Sequence, residues 1–325
     1  MPVYNTRRYL LTALRSILDQ DLNDFELLAI DDGSTDGSDR VLRVVDDPRL
    51  RVLRTPHAGI VATLNRGLAE ARGDLIARMD ADDIALPGRL SAQLRFMESH
   101  PDVVLLGTRF VYVDSRSRPL FNPGWPCDDA DIRRALPVYN CFTHPTVMFR
   151  KSAALRAGGY RQELEYQEDY DLWLRMLDVG QAAQLPDVLL YYRLSSASVS
   201  FRNRRQQSTI LDALVKALHE QRRLQGQDVL QRGQSIAPLR DGITARLGRW
   251  AQRHRWGRQL QGWARGCLEA GRRWQAFRFA MEAVWADPAA RPNWGLLARS
   301  LAPGWAHDLA VWLRGTEDGR RRAAG

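Results

Sequence analysis

The sequence predicts an α/β protein with a mostly parallel sheet flanked by helices, followed by a helical C-terminal region. In residues 1–200, segments with the apolar spacing of helices alternate with short apolar runs, as in strands joined by crossover helices. After residue 200 the patterns are helical and the charge balance changes. Residues 1–200 carry 24 basic and 28 acidic residues, and residues 201–325 carry 23 and 10. Eight of the ten tryptophans also follow residue 200, so we place a domain boundary there, between 1–200 and 201–325.

The individual elements follow from apolar periodicity and from residues that begin or end helices. The first helix has Asn5 or Thr6 as a suitable N-cap, and its apolar face consists of Leu10, Leu11, Leu14, Ile17 and Leu18. Several prolines between residues 115 and 140 indicate an excursion, and residues 263–301 resemble a helical hairpin broken at Asp287-Pro288. The predicted helices span 6–20, 38–45, 60–71, 90–99 and 168–178, and the predicted strands 25–30, 51–53, 74–79, 103–113, 146–149 and 188–192.

A cluster of carboxylates follows the predicted strand 74–79. The segment reads Arg78-Met79-Asp80-Ala81-Asp82-Asp83. Carboxylates this close repel one another unless a cation holds them, and hard oxygen ligands suit Mg²⁺ or Mn²⁺. The carboxyl end of a strand is also where open α/β sheets bind ligands. The segment therefore indicates a metal that grips a diphosphate and a nucleotide-activated substrate, although a solvated acidic loop would read similarly.

Composition limits the cellular setting. The three cysteines, Cys127, Cys141 and Cys267, are far apart, which argues against a disulfide framework and fits a reducing compartment. The sequence has no secretory signal pattern, and no apolar run approaches the ~20 residues of a membrane span. We therefore expect a cytoplasmic site on a protein that is soluble or bound to a surface.

Five short motifs occur in order along the first 200 residues. They are Pro2-Val3-Tyr4-Asn5, Ile30-Asp31-Asp32-Gly33-Ser34-Thr35-Asp36, Asn65-Arg66-Gly67, Asp80-Ala81-Asp82-Asp83 and Glu168-Asp169. In this order they resemble the motifs of family 2 glycosyltransferases. The resemblance implies a GT-A fold, an inverting mechanism and a nucleotide-sugar donor, with a UDP-sugar as the expected donor.

The resemblance also implies roles on the donor side. Asp32 would contact the uracil or the ribose, and Tyr4 would flank the base. Asp82 would ligate Mn²⁺ or Mg²⁺, while Asp80 would contact the ribose or the metal. The residues alone also allow plainer roles, because Asp-Gly-Ser sequences often form turns and Tyr4 could pack in the core. Asp83 could cap the turn that follows it.

On the acceptor side, the resemblance implies that Asp169 is the general base, with Glu168 beside it in the substrate site. Asp169 would take the proton of an acceptor hydroxyl that attacks opposite the leaving diphosphate, so that configuration inverts. His144 would lie near the donor phosphates or the acceptor. The residues alone also allow plainer roles. Glu168 and Asp169 could be acids that the helix dipole favours at a helix start, and His144 could be a structural histidine. Trp173 could be a core residue rather than a sugar platform.

Two features depart from the family pattern. The opening strand is essentially absent because the chain begins at Met1-Pro2, and we hypothesise that this start is internal to the true reading frame. Ser195 takes a place where the family commonly has a histidine, which removes a possible phosphate or metal contact. Arg193 or Arg202 could contact the diphosphate instead.

The basic, tryptophan-rich residues 201–325 suit an anionic membrane surface, where arginines meet phosphates and indoles lie at the interface. No nucleic-acid-binding module is recognisable. The expected function is sugar transfer to a glycan or lipid-linked acceptor in cell-surface polysaccharide synthesis, with the protein cytoplasmic or peripheral at the inner face of the membrane. The alternatives are a catalytically impaired sugar-nucleotide-binding or membrane scaffold, and a nucleotidyltransferase, which would usually have a Gly-rich loop near its N-terminus.

Overall fold

The computed structural model describes residues 1–194, 208–287 and 290–301. It confirms the predicted α/β class and the helical C-terminal region. Among these residues, no helix is both long enough and apolar enough to cross a bilayer. Ser195 and Arg202, which the sequence singled out, lie outside the described residues.

The first sheet is entirely parallel and carries the amino-terminal motifs. Its strand order is β1-β2-β3, and β2 is buried along its whole length. The strand expected to be essentially absent is present as two residues, which pair with Ile30 and Asp31 of β2. Leu11 is exposed, contrary to its predicted place on the apolar face of the first helix. The elements are β1 (Pro2–Val3), α1 (Arg7–Leu18), β2 (Leu27–Asp31), α2 (Ser38–Val44), β3 (Leu50–Arg54) and α3 (Ile60–Glu70).

The second sheet is mixed and holds the acidic segment. Its order is β4-β8-β6-β9-β5, with β7 paired to β6; β6 and β9 run parallel, and the other pairs are antiparallel. The elements are β4 (Leu75–Ala77), β5 (Ile84–Ala85), α4 (Arg89–Ser99), β6 (Val103–Val113), β7 (Pro119–Phe121), α5 (Asp129–Ala135), β8 (Met148–Arg150), α6 (Lys151–Arg156), α7 (Glu168–Met176) and β9 (Gln181–Arg193).

Three predicted strand bounds in this sheet were wrong. The strand expected at 74–79 ends at Ala77, two residues before its predicted end. The strand expected at 146–149 begins at Met148, because residues His144–Thr146 form a 3₁₀ turn around Pro145. The strand expected at 188–192 begins at Gln181. Its register shifts where Thr108 gives way to Arg109 on β6, so the strand passes Pro186 as an irregularity instead of ending there.

The chain divides into two compact units, residues 1–246 and 247–325, and the C-terminal helices contribute to both. The first unit continues past the compositional change at residue 200 because α8 (Ser208–Gln225) buries Leu214, Val215 and Leu218 in the same core as α7. The long helix α9 (Ala237–Glu269) spans the division at residue 246. In the second unit, α10 (Arg273–Ala286) and α11 (Arg291–Leu301) form the predicted hairpin, with a break at Asp287.

Buried charges join α8 to the helix that carries Glu168 and Asp169. The Asp228 carboxylate accepts hydrogen bonds from Arg161 at 2.9 Å and from Arg222 of α8 at 2.8 Å. Arg161 also contacts Asp171 of α7, which pairs with Arg175 at 2.6 Å. Separating α8 from this network would leave buried charges without their partners, which is costly. The ion pairs therefore hold α8 against the rest of the first unit.

Candidate active site

Three carboxylates meet in the turn between β4 and β5. Asp80, Asp82 and Asp83 each place one oxygen so that all three atoms lie within 4.8 Å of one another. The turn forms because β4 ends at Ala77 and the chain then returns to pair β5 with β9. Asp80 and Asp82 are half-buried, and Asp83 is buried. The predicted cluster therefore exists as a compact group of oxygen ligands.

The electrostatics of this turn favour a bound cation. Burial, followed by repulsion from Asp80, raises the pKa of Asp82 to about 7. Burial and the two neighbouring carboxylates raise the pKa of Asp83 well above its ordinary value. Among the described residues, Asp83 Oδ2 is buried and has no hydrogen-bond partner. Hard oxygen donors with unmet charge are what Mn²⁺ or Mg²⁺ requires, so the residues fit such an ion.

Arg193, at the end of β9, holds the acidic turn in place. Its backbone N–H donates to Asp83 Oδ1 at 2.8 Å, and its Nε donates to the Asp82 carbonyl at 2.7 Å. The remaining guanidinium nitrogens donate to the Asp114 carbonyl and to Ser117 Oγ, each at 3.0 Å. Arg193 therefore braces the turn from within the protein, which differs from its expected contact with a diphosphate.

Arg78, to which the sequence analysis assigned no role, pairs with the acidic turn and acts electrostatically on Glu168. It is buried and forms an ion pair with Asp80. Burial alone would lower its pKa, but attraction to Asp80 outweighs this and raises the pKa overall. The same guanidinium favours the charged form of Glu168 and the neutral form of His144. Arg78 therefore couples the charges of the metal-ligand candidates to Glu168, the neighbour of the general-base candidate.

The predicted base lies at the start of α7. Asp169 is partly exposed, and Asn140 Nδ2 donates to its Oδ2 at 3.4 Å. Glu168 is buried, and burial followed by repulsion from Asp169 raises its pKa to about 8. Tyr166, two residues earlier, has φ of 74°, a strained value for this residue type. At neutral pH the pair thus combines an accessible Asp169 with a largely protonated Glu168.

His144 occupies a buried position behind this pair. Its Nε2 lies 2.9 Å from the Tyr160 hydroxyl, and its ring packs edge-on against Trp173, which is fully buried. Burial, reinforced by Arg78, lowers the pKa of His144 well below its ordinary value. His144 is therefore a neutral, hydrogen-bonded core residue next to the site, and Trp173 belongs to the core.

Asn65, from the third motif, fixes the loop that carries Tyr160. Its Nδ2 donates to the Tyr160 carbonyl at 2.8 Å, and its Oδ1 accepts from the Tyr160 N–H at 2.9 Å. Gly159 has φ of +65°, and a Cβ there would lie 2.9 Å from Asn65 Oδ1. The Asn65 side-chain amide therefore bonds both backbone groups of Tyr160, as a neighbouring strand would, and sets the position of Tyr160.

Replacing Asn65 with alanine should lower the free energy of unfolding by about 1–3 kcal/mol, since it leaves two backbone groups of Tyr160 without their partner. Thermal unfolding followed by circular dichroism measures this loss. Arg66→Ala is the matched control, because the adjacent Arg66 forms an exposed ion pair with Glu70 and should change stability by less than about 1 kcal/mol. Equal stability of the two variants would contradict this role for Asn65.

Tyr4 and Asp32 form a second group at the carboxyl ends of β1 and β2, together with His57. The rings of Tyr4 and His57 stack with centroids 4.1 Å apart and planes 10° from parallel. Asp32 Oδ2 lies 2.8 Å from His57 Nδ1, and Asp32 Oδ1 accepts the Ala58 N–H at 2.8 Å. His57 was missed because nothing in its local sequence distinguishes it, and 25 residues separate it from Asp32.

Comparisons with known proteins identify the family and the fold of the chain. A family model described as glycosyl transferase family 2 matches residues 1–156. The amylovoran biosynthesis glycosyltransferase AmsE of Erwinia amylovora is 36% identical over 193 residues, which cover 58% of this chain and 72% of AmsE. The aligned region thus reaches beyond residues 1–156.

Two solved structures resemble the fold. The crystal structure of S. aureus TarS 1-349 in complex with UDP-GlcNAc has a TM-score of 0.53 at 18% identity, covering 91% of this chain and 87% of that one. The mannosyltransferase PcManGT of Pyrobaculum calidifontis, in complex with GDP-Man and Mn²⁺, has a TM-score of 0.50 at 18% identity, covering 91% and 76%. These likenesses support the GT-A fold.

Proposed function

The chain belongs to glycosyltransferase family 2, and from this premise we propose that it transfers a sugar, with inversion, from a UDP-sugar to a hydroxyl of a glycan or lipid-linked acceptor in cell-surface polysaccharide synthesis. The observation that carries the proposal is the acidic turn, whose three carboxylate atoms lie within 4.8 Å of one another and whose partner Arg78 also acts electrostatically on Glu168. A transferase needs a site for the leaving group and a base for the nucleophile close together.

On the donor side, Asp82 and Asp80 would hold Mn²⁺ or Mg²⁺, with Asp83 as a further oxygen ligand. When bound, such an ion stabilises negative charge on the leaving nucleoside diphosphate. Arg78 keeps the Asp80 carboxylate oriented, and Arg193 keeps the turn attached to β9. Tyr4 and Asp32 belong to the nucleoside end. PcManGT, whose structure contains GDP-Man and Mn²⁺, supports a nucleotide-sugar donor and a divalent ion.

On the acceptor side, Asp169 accepts the proton of the attacking hydroxyl. It is the accessible member of its pair, and Asn140 orients it. The raised pKa of Glu168 keeps that carboxyl largely protonated at neutral pH, so Glu168 can donate a hydrogen bond to substrate while Asp169 accepts one. One base and a leaving group on opposite faces of the sugar suffice for a single displacement.

The direct test is release of nucleoside diphosphate from a panel of UDP-sugars and GDP-mannose with Mn²⁺, first with water and then with glycan or lipid-linked acceptors. We expect at least one donor to be consumed, with acceptor-dependent acceleration and a product anomer opposite to that of the donor. Retention of the donor configuration would contradict the inverting mechanism.

We also propose that the protein is cytoplasmic and binds the inner face of the membrane through the second unit. On α10, Trp274, Arg278, Met281 and Trp285 lie on one face and are exposed, with Trp274 at 67% and Trp285 at 76%. The opposite face buries three alanines against its own unit. Residues 247–301 contain ten arginines and three acidic residues. Exposed indoles beside arginines match an anionic lipid interface.

Replacing both Trp274 and Trp285 with alanine should reduce binding to phosphatidylglycerol-containing vesicles by about tenfold, because the exposed indoles supply much of the interfacial contact. Co-sedimentation with vesicles measures this, and phosphatidylcholine vesicles test the need for anionic lipid. The control is Leu155→Ala, which removes an exposed apolar side chain from the first unit. Unchanged binding by the double variant would rule out this face.

A further inference from the structure

His57 is an exposed imidazole that contacts Tyr4 and Asp32 at the nucleoside end of the site. Tyr4 stacks on one face of its ring, and the ring nitrogen Nδ1 lies 2.8 Å from the Asp32 carboxylate. A Cβ at Gly33 would lie 2.9 Å from the His57 backbone nitrogen, so the turn after Asp32 packs directly against it. The side chain nevertheless remains 53% exposed. Two side-chain contacts therefore position the ring, while about half of the side chain stays accessible.

Asp32 sets which nitrogen of His57 carries the proton. Its two oxygens accept N–H groups from Ala58 at 2.8 Å and Gly59 at 3.0 Å, in addition to facing His57 Nδ1. An ionised carboxylate can only accept, so Nδ1 must donate and carry the hydrogen. In the neutral imidazole, Nε2 then has a lone pair and acts as an acceptor. Asp32, at 5% side-chain exposure, is already engaged by residues 57–59.

We infer that His57 reads the nucleobase of the donor, with Nε2 accepting the imino N–H of the base and Asp32 acting as a positioning residue. The inference rests on the proposed function, which supplies the nucleotide. Uracil and thymine present an N3–H and guanine an N1–H, whereas cytosine N3 and adenine N1 are acceptors. The Nε2 lone pair can therefore accept a hydrogen bond from uracil, thymine or guanine. Facing cytosine or adenine, it would meet another lone pair, which disfavours those bases.

The test is isothermal titration of the full chain with UDP, GDP, CDP and ADP, in Mn²⁺ at pH 8. The wild type should bind UDP or GDP at least about tenfold more tightly than CDP and ADP. UDP and GDP gain one hydrogen bond to Nε2, whereas CDP and ADP leave that acceptor unmatched. His57→Phe keeps an aromatic ring beside Tyr4 but lacks Nε2, so its preference should fall to within about threefold. Asp32→Asn should weaken the preference, since an amide can donate to Nδ1 and reverse the tautomer.

His100→Ala is the matched control, because His100 also stacks on a ring, Phe96, at 4.0 Å and 11°, but belongs to neither substrate group. It should keep the wild-type preference. A preference retained in His57→Phe, or a wild type that prefers CDP or ADP, would overturn the inference and leave the transferase proposal standing. Failure of the folded wild type to bind any of the four nucleotides would overturn both.

Discussion

Replacing Asp169 with asparagine is expected to lower kcat for sugar transfer by about 10²–10⁴-fold, the usual contribution of a positioned general base. The amide has the same shape as the carboxylate but cannot take the acceptor proton. Because the proposed role of Asp169 is on the acceptor side, the affinity for UDP should stay within about threefold of wild type. Steady-state transfer kinetics, combined with calorimetric titration of UDP, measure both quantities on the same protein.

Glu168→Gln separates the two acids of the pair. Glu168 is buried, and its raised pKa of about 8 means that it is already largely protonated at pH 7, so glutamine resembles its dominant form. We expect a loss of less than about tenfold at pH 7, which is small beside the effect of a lost general base. A large loss in Glu168→Gln together with a small loss in Asp169→Asn would assign the base to Glu168. Equal, measurable transfer by Asp169→Asn and wild type would contradict the role of Asp169 as the base. If neither protein transferred sugar, the scaffold alternative would be favoured.

Replacing Asp82 with asparagine should remove most of the Mn²⁺-dependent part of UDP binding, a loss of at least about tenfold in affinity. Asp82 is half-buried next to Asp80 and Asp83, and the amide offers a weaker, neutral ligand in place of a carboxylate. Removing one of three mutually repelling charges should also stabilise the metal-free protein, because burial and repulsion raise the pKa of Asp82 to about 7. Calorimetry with UDP and thermal unfolding without metal measure the two effects.

Asp74→Asn is the control for this variant, because Asp74 is an exposed carboxylate at the opposite end of β4. It should leave both UDP affinity and its dependence on Mn²⁺ unchanged. If Asp82→Asn bound UDP with the same metal dependence as Asp74→Asn, the metal would not be held by the acidic turn.

The acidic turn and the family could be predicted from the sequence because their signals are local. Asp80, Asp82 and Asp83 stand within four residues of one another and directly after an apolar strand, so no knowledge of the fold was needed to group them. The helices α3, α4 and α7 likewise carry their periodicity within their own residues. The assignments of Asp82 to the metal and Asp169 to the base stay predictions.

What the sequence could not reveal depends on contacts between distant segments. Asp32 meets His57 across 25 residues, Asn140 meets Asp169 across 29, and Asn65 meets Tyr160 across 95. The role of Arg78 is hidden for a related reason, since an arginine at the end of a strand can face either way. The irregular part of β9 was missed because Pro186 normally interrupts a strand, and only pairing with β6 shows that the strand continues.

Calorimetric titration of the purified chain with UDP, first in Mn²⁺ and then with the metal removed by EDTA, decides whether the acidic turn is a working nucleotide-sugar site. We expect a dissociation constant of about micromolar order in Mn²⁺ and binding at least about tenfold weaker in EDTA. Equal affinity in the two conditions, or no binding of UDP or GDP by protein shown to be folded, would contradict a metal-dependent donor site at Asp80 and Asp82.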